Sequence, residues 1–283
     1  MKTPKRLLPL IEDGVIDAVV RQLMSGKEAM VFVVRCGDEV RCAKVYKEAD
    51  KRSFRQAVDY TENRKTKNTR QARAMAKGTR FGRESQERAW QSAEVDALYR
   101  LAAAGVRVPK PYNVHEGVLL MELVTDAQGD AAPRLNDVEF TPEEALRHHH
   151  ALVGEVVRML CAGVIHGDLS EYNILLGADG PVIIDLPQAV DAAGNNHALA
   201  MLARDVGNLR HFFGRFAPDL LFTDYGHEIW ALYEAGTLTP DAVLTGRFER
   251  VEKEVDLEGV VREIGDAIVD ERFRQLGRLE AQE

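Results

Sequence analysis

From Ala18 to Tyr46 apolar residues come in short runs broken by small turns, the pattern of half-buried strands. Val19, Val20 and Leu23 precede Ser25-Gly26-Lys27-Glu28-Ala29; Val31 to Val34 follow, then a Gly37-Asp38 turn, then Val40 to Tyr46. Three strands joined by short turns are predicted. From about Gln86 to Ala104 the period lengthens: Trp90, Val95, Leu98 and Leu101 stand near three- and four-residue spacing, and Gly105 follows as a stop. Pro109 and Pro111 restart an extended path, and Val118 to Val124 reads as a buried strand. The polar stretch Thr125 to Pro133 then marks a boundary between two lobes, 1–124 and 125–283.

Beyond it the period is helical. Thr141-Pro142-Glu143-Glu144 is a capping box with Pro at the first helical position. It opens a helix carrying Leu146, Leu152, Val153, Val156 and Leu160, which Gly163 ends. Short strands are expected near Asn173 to Leu176 and Val182 to Ile184, a helix from about His197 to Phe216, and looser helices through the acidic C-terminal third. Phe212, Phe213, Phe216 and Trp230 read as core. The whole predicts an α+β chain: an N-terminal antiparallel sheet with one helix, then a mainly helical lobe.

At 45% hydrophobic and 29% charged residues the chain is an ordinary globular protein, and 283 residues suffice for two lobes without disulfide staples. Cys36, Cys42 and Cys161 are too scattered for a disulfide framework and are read as reduced. No apolar run is long enough for a membrane span and the start lacks a signal h-region, so the expectation is a cytoplasmic protein with no membrane partner. The net charge of −8 conceals an asymmetry. Residues 51–88 hold twelve Lys or Arg against four acids, a local +8 that leaves −16 elsewhere. With little apolar periodicity from Lys51 to about Ser85, this segment reads as a solvated loop or frayed helix.

The most specific chemistry lies in His166-Gly167-Asp168-Leu169-Ser170-Glu171-Tyr172-Asn173. A carboxylate and a carboxamide five residues apart, between a helix end and a strand, suit phosphoryl transfer: Asp168 accepts or orients the attacking hydroxyl, and Asn173 offers a neutral oxygen to Mg²⁺. Asp185, twelve residues on at the end of Val182-Ile183-Ile184, completes an ordered set of oxygen ligands. A capped turn is the bland reading of the Asp-Asn pair alone. Lys44, inside the apolar strand Ala43-Lys44-Val45-Tyr46, demands an anion, which a nucleotide phosphate supplies; Glu94 on the following helix is its natural partner. The Ser25-Gly26-Lys27 turn can fold its N–H groups over phosphates, or be a plain hairpin. Met121-Glu122-Leu123-Val124 is where adenine can meet backbone groups, or merely a strand entering a linker.

Taken in order, these segments resemble the RIO family of atypical serine/threonine protein kinases over roughly residues 15–216. The strings are Ser25 to Ala29, Ala43-Lys44-Val45-Tyr46-Lys47, Trp90 to Glu94, His166 to Asn173, Ile184-Asp185-Leu186-Pro187-Gln188 and Arg204-Asp205-Val206-Gly207-Asn208. The resemblance is closest to the branch without an N-terminal winged helix and its bacterial members. It implies a two-lobed kinase-like fold with ATP and Mg²⁺, or Mn²⁺ in its place, in the cleft. Lys44 would lie on the phosphates with Glu94 as its ion-pair partner, and Ser25, Gly26 and Lys27 would form the phosphate turn. Glu122 and Val124 would give backbone contacts to adenine, with Met121 as gatekeeper. Asp168 would be the catalytic Asp, Asn173 and Asp185 the metal ligands, and Asp205 a brace for the catalytic loop.

Gly167 stands where most protein kinases carry an Arg that reads activation-loop phosphate, and only eleven residues separate Asp185 from His197. Regulation through a long activation segment is therefore not expected. The leading reading is a kinase able to phosphorylate itself or a protein substrate. A second is an ATPase switch in ribosome maturation that meets ribosomal RNA or a ribosomal particle through residues 51–88. A third, a small-molecule kinase of the aminoglycoside or choline type, shares the His-Gly-Asp and Asn pattern but not the Ser25 to Ala29 or Leu186-Pro187-Gln188 strings.

Overall fold

The computed structural model describes residues 3–26, 29–47, 93–115 and 117–248. The expectations for Lys27, Glu28, Trp90, the basic segment 51–88 and the chain beyond 248 lie outside the described residues.

The predicted strands form β1 (Ala18–Ser25), β2 (Ala29–Cys36) and β3 (Glu39–Tyr46); β4 (Pro111–His115) and β5 (Val118–Glu122) complete an antiparallel sheet of order β1-β2-β3-β5-β4. The two-residue side-chain period divides β3 between two packing faces. Ala43 and Val45 join Phe32, Val34, Val118 and Leu120 beneath Leu7 and Leu10, whereas Tyr46 joins Leu119 in the core shared with the following helix. Leu7 lies in a short 3-10 turn and Leu10 in α1 (Leu8–Glu12), which covers the outer face of the sheet. The short apolar patch at Leu7 to Ile11 is thus a lid on the core. Lys44 has the parity of Tyr46, so the strand that buries Val45 turns the ammonium toward the cleft.

Helix α2 is described over 93–103. Glu94, Leu98 and Leu101 lie four and three residues apart on one stripe, and all three are buried. The carboxylate is therefore delivered by the same periodicity that docks the helix.

Helix α3 (Pro142–Cys161) starts at the expected capping box: Glu144 N–H donates to Thr141 Oγ1 at 3.2 Å, and Thr141 N–H to Glu144 Oε2 at 2.9 Å. Its buried stripe is Ala145, His149, Leu152, Val153, Val156 and Leu160. Leu146, carried on the same helix, is 45% exposed because it lies one residue, about 100°, off that stripe. Then come β6 (Val164–Ile165), β7 (Ile174–Gly177), β8 (Gly180–Ile183), β9 (Val190–Asp191), α4 (Ala198–Gly214) and α5 (Tyr225–Glu234). Strand β6 pairs with β9 and β7 with β8, both antiparallel. Phe140, Phe212, Phe213 and Phe216 form an aromatic cluster with ring centres 5.0–6.3 Å apart, and Trp230 packs against the same core. All three cysteines are free. Among the described residues no helix is long and apolar enough to cross a membrane.

Candidate active site

Lys44 Nζ donates to Glu94 Oε1 at 2.5 Å and to Asp185 Oδ1 at 2.8 Å, so one ammonium joins the sheet, α2 and the end of β8. The Tyr46 ring centre lies 5.7 Å from the same nitrogen. Burial works against the Lys44 charge, but the two carboxylates outweigh it and the pKa is raised. The mirror argument holds at Asp185, where burial pushes upward and the Lys44 charge and hydrogen bond carry the net shift down. Asp185 is ionised at neutral pH, with 47% of its side-chain surface exposed. It is also, among the described residues, the non-glycine with positive φ, 67°, a strained conformation of the kind that persists where function demands it.

Across the cleft, Asp168 sits on a loop fixed by one buried acid, a side-chain amide and a guanidinium. Asp205 on α4 is 1% exposed and accepts from Gly167 N–H at 2.8 Å and Leu169 N–H at 3.1 Å. Asn208 Nδ2 donates to the Leu169 carbonyl at 2.9 Å, and the Arg204 guanidinium to the Gly167 carbonyl. Gly167 has φ 79°, which explains the glycine: a side chain there would strain the turn that aims both N–H groups at Asp205. Buried His166 lies 3.0 Å from the Ile184 carbonyl through Nε2 and accepts from Asp168 N–H at 3.3 Å through Nδ1, tying catalytic loop to Asp185 loop. Burial raises the Asp168 carboxyl, and likewise pushes Asp205 up to about 6.

Asn173 Nδ2 donates to the Asp168 carbonyl at 2.8 Å. That assignment leaves its amide oxygen as the end able to ligate a cation. Together with the ionised Asp185 it makes a hard oxygen donor pair, which suits Mg²⁺ or Mn²⁺. Among the described residues no group of three His, Cys, Asp or Glu could hold a metal ion.

The structure therefore brings Lys44, Glu94, Asp168, Asn173 and Asp185 to one cleft. Met121 and Glu122 end β5, and buried Val124 follows with its carbonyl accepting from Ala132 N–H at 3.0 Å. At the phosphate turn Gly26 N–H donates to the Ala29 carbonyl at 2.9 Å. Three contacts had no assigned role in the sequence. Lys47 Nζ grips Ser25 Oγ at 3.3 Å and the Gly26 carbonyl at 2.5 Å. The Glu122 carboxylate is held by Arg107 at 2.7 and 2.9 Å and by Lys110 N–H at 3.0 Å, which lower its pKa against the upward push of burial. Gln188 Nε2 donates to Asp168 Oδ2 at 3.1 Å. Each pairs residues distant in sequence, so no spacing announces it; Lys47 and Gln188 at least fall inside the strings quoted above.

A family model described as the RIO domain matches residues 30–225. A RIO-type serine/threonine-protein kinase Rio1 of Haloferax volcanii is 38% identical over 215 residues, 74% of this chain and 68% of that protein. One of Methanocaldococcus jannaschii is 33% identical over 204 residues, 71% of this chain and 64% of its own. The serine/threonine-protein kinase rio1 of Schizosaccharomyces pombe is 32% identical over 221 residues, 76% of this chain but 42% of that protein. With the kinase-like arrangement of sheet, α2 and catalytic loop already in place, these matches establish that the chain belongs to the RIO domain family.

Proposed function

We propose that the chain is an atypical serine/threonine protein kinase that uses ATP and a divalent cation, Mg²⁺ foremost. The observation that carries it is the Lys44 ammonium shared by Glu94 and Asp185, within one cleft with Asp168 and Asn173. ATP and the cation, when bound, supply the transferable γ-phosphoryl group and neutralise its charge. Lys44 engages phosphate oxygens, Asp185 and Asn173 hold the cation, and Ser25, Gly26 and Lys27 cover the phosphates. Val124, whose carbonyl is already engaged, offers its N–H to adenine, Glu122 its backbone, and Met121 lines the back of the pocket. Asp168 orients the acceptor hydroxyl and takes its proton. We place the lobe boundary at 124/125.

The test follows label from γ-labelled ATP in the purified chain beside Asp168→Ala and Asp185→Asn. Acid-stable label on Ser or Thr, lost in Asp168→Ala, is expected. Label undiminished in Asp168→Ala would overturn the site. The short path from Asp185 to α4, occupied by a turn and β9, gives little platform for a peptide and favours self-phosphorylation or ATP hydrolysis as the working reaction. Free phosphate with labile label lost in Asp185→Asn would select the ATPase switch. The ribosomal partner of that switch rests on the charge of residues 51–88; a flat salt titration against ribosomal RNA would remove it.

A further inference from the structure

Gln188 belongs to the loop that carries Asp185, yet its amide reaches the other loop. Two features of the fold put it there. Buried Leu186 and Ala189 are closed into a turn by the Ala189 N–H to Leu186 carbonyl bond of 3.1 Å, so the residues between them, Pro187 and Gln188, are carried on a tip anchored on both sides. The β6–β9 ladder then sets the register, pairing Val164 with Asp191 and Ile165 with Val190. Continued beyond its last rung, that antiparallel register brings the chain at 166–168 opposite the chain at 187–189. That register sets Gln188 opposite Gly167, one residue from the Asp168 whose carboxylate it reaches.

On the Asp168 carboxylate, Oδ2 accepts from Gln188 Nε2 at 3.1 Å and, at the longer 3.5 Å, from Asn173 Nδ2. Both donors are neutral amides on the same oxygen. An amide N–H orients a carboxylate without cancelling its charge, and by occupying Oδ2 it directs Oδ1 to the incoming hydroxyl. The result is a carboxylate placed by the loop of the metal site itself.

We infer that Gln188 is a positioning residue for Asp168, holding the catalytic carboxylate in its productive rotamer through the β6–β9 register in place of a long activation segment. The inference rests on the kinase reading above. Catalytic geometry is sensitive to such support, and the loss of an outer partner costs about 10–100-fold in activity.

The test compares wild type with Gln188→Met, which keeps the length and removes the donor, and Gln188→Glu, which keeps the shape and sets a like charge on Asp168. ATP turnover, whether as phosphotransfer or hydrolysis, is measured with ATP affinity by direct titration and with thermal midpoint. The expected result is kcat down about tenfold or more in Gln188→Met and further in Gln188→Glu, with ATP affinity within about twofold of wild type. An unchanged kcat in the variant that folds, or a loss of ATP affinity that accounts for the whole defect, would overturn the inference. Absence of turnover in wild type itself would instead strike the kinase reading, so the two failures are distinct.

Discussion

On the sheet side of the cleft a charge is held by charges: Lys44, nearly buried in β3, lies between Glu94 and Asp185. On the helical side, among the described residues, the Asp168 carboxylate takes its hydrogen bonds from the neutral amides of Gln188 and Asn173, while its loop is held by buried Asp205 on two backbone N–H groups and by Arg204 on the Gly167 carbonyl. The difference follows from the tasks. Lys44 must stay charged in an apolar strand, which requires counter-charges. In the proposed reaction Asp168 is the proton acceptor, and burial keeps its pKa raised although the charges of His166 and Arg204 and the Asn173 amide pull it down.

The largest expected consequence is catalytic. Asp168→Ala should lower kcat by about 10²–10⁴-fold with ATP affinity largely kept, read by turnover and nucleotide titration. Equal losses in both would mean that the helical side binds rather than reacts.

Next comes a pair of opposed pH effects within the helical lobe. His149, buried against Phe213 and Tyr225 with no partner for Nε2 among the described residues, has its pKa lowered to about 4 by burial and by neighbouring His150. The unfolded chain therefore protonates first on acidification. About 3 kcal/mol of stability is lost as pH falls from 6.5 toward 4. Asp205, raised to about 6 by burial, has the opposite sign: the folded state takes its proton first, and about 3 kcal/mol is regained as pH falls from 6 toward 3.8. The two slopes nearly cancel in wild type. Urea unfolding at pH 7 and pH 4 should reveal them separately: His149→Phe removes the acid-sensitive slope, and Asp205→Asn removes the compensating one.

A smaller effect is expected on the sheet side. Glu94→Gln leaves Lys44 with Asp185, so the cost should be about 2 kcal/mol rather than the ~3–5 of a fully unpaired buried charge, measured by urea unfolding. A cost near zero would mean that Asp185 alone suffices to hold the ammonium. Smallest of all, Arg107→Met releases the half-exposed Glu122 carboxylate, and the loss should be about 1 kcal/mol with a modest fall in ATP affinity.

The elements were legible where local rules decide them. Alternation marked the strands, the Thr141 to Glu144 box marked the start of α3, and of the expected apolar series on α2 Leu98 and Leu101 are buried while Val95 is partly so. Leu146 shows the limit of that reading, since hydrophobicity alone does not say which of two adjacent residues faces the core. His148, His149 and His150 point apart, as helical geometry requires: His148 meets Phe140 edge-on, His149 is buried, and His150 is exposed.

For the candidate site, residue type and order were enough to nominate Lys44, Glu94, Asp168, Asn173 and Asp185, because phosphoryl transfer needs a cation, oxygen ligands and a base, and few other uses order them so. Their supports were not legible. Gln188 meets Asp168 through the β6–β9 register, Arg107 meets Glu122 across a turn of chain, and Asp185 adopts φ 67° under constraints from Lys44 and His166. The sequence by itself determined which groups carry chemistry and which segments become strands and helices, since both depend on side-chain identity and short-range periodicity. Only the tertiary structure decided which oxygen of Asp168 is occupied and what holds each charge, because those are set by contacts between residues far apart in the chain.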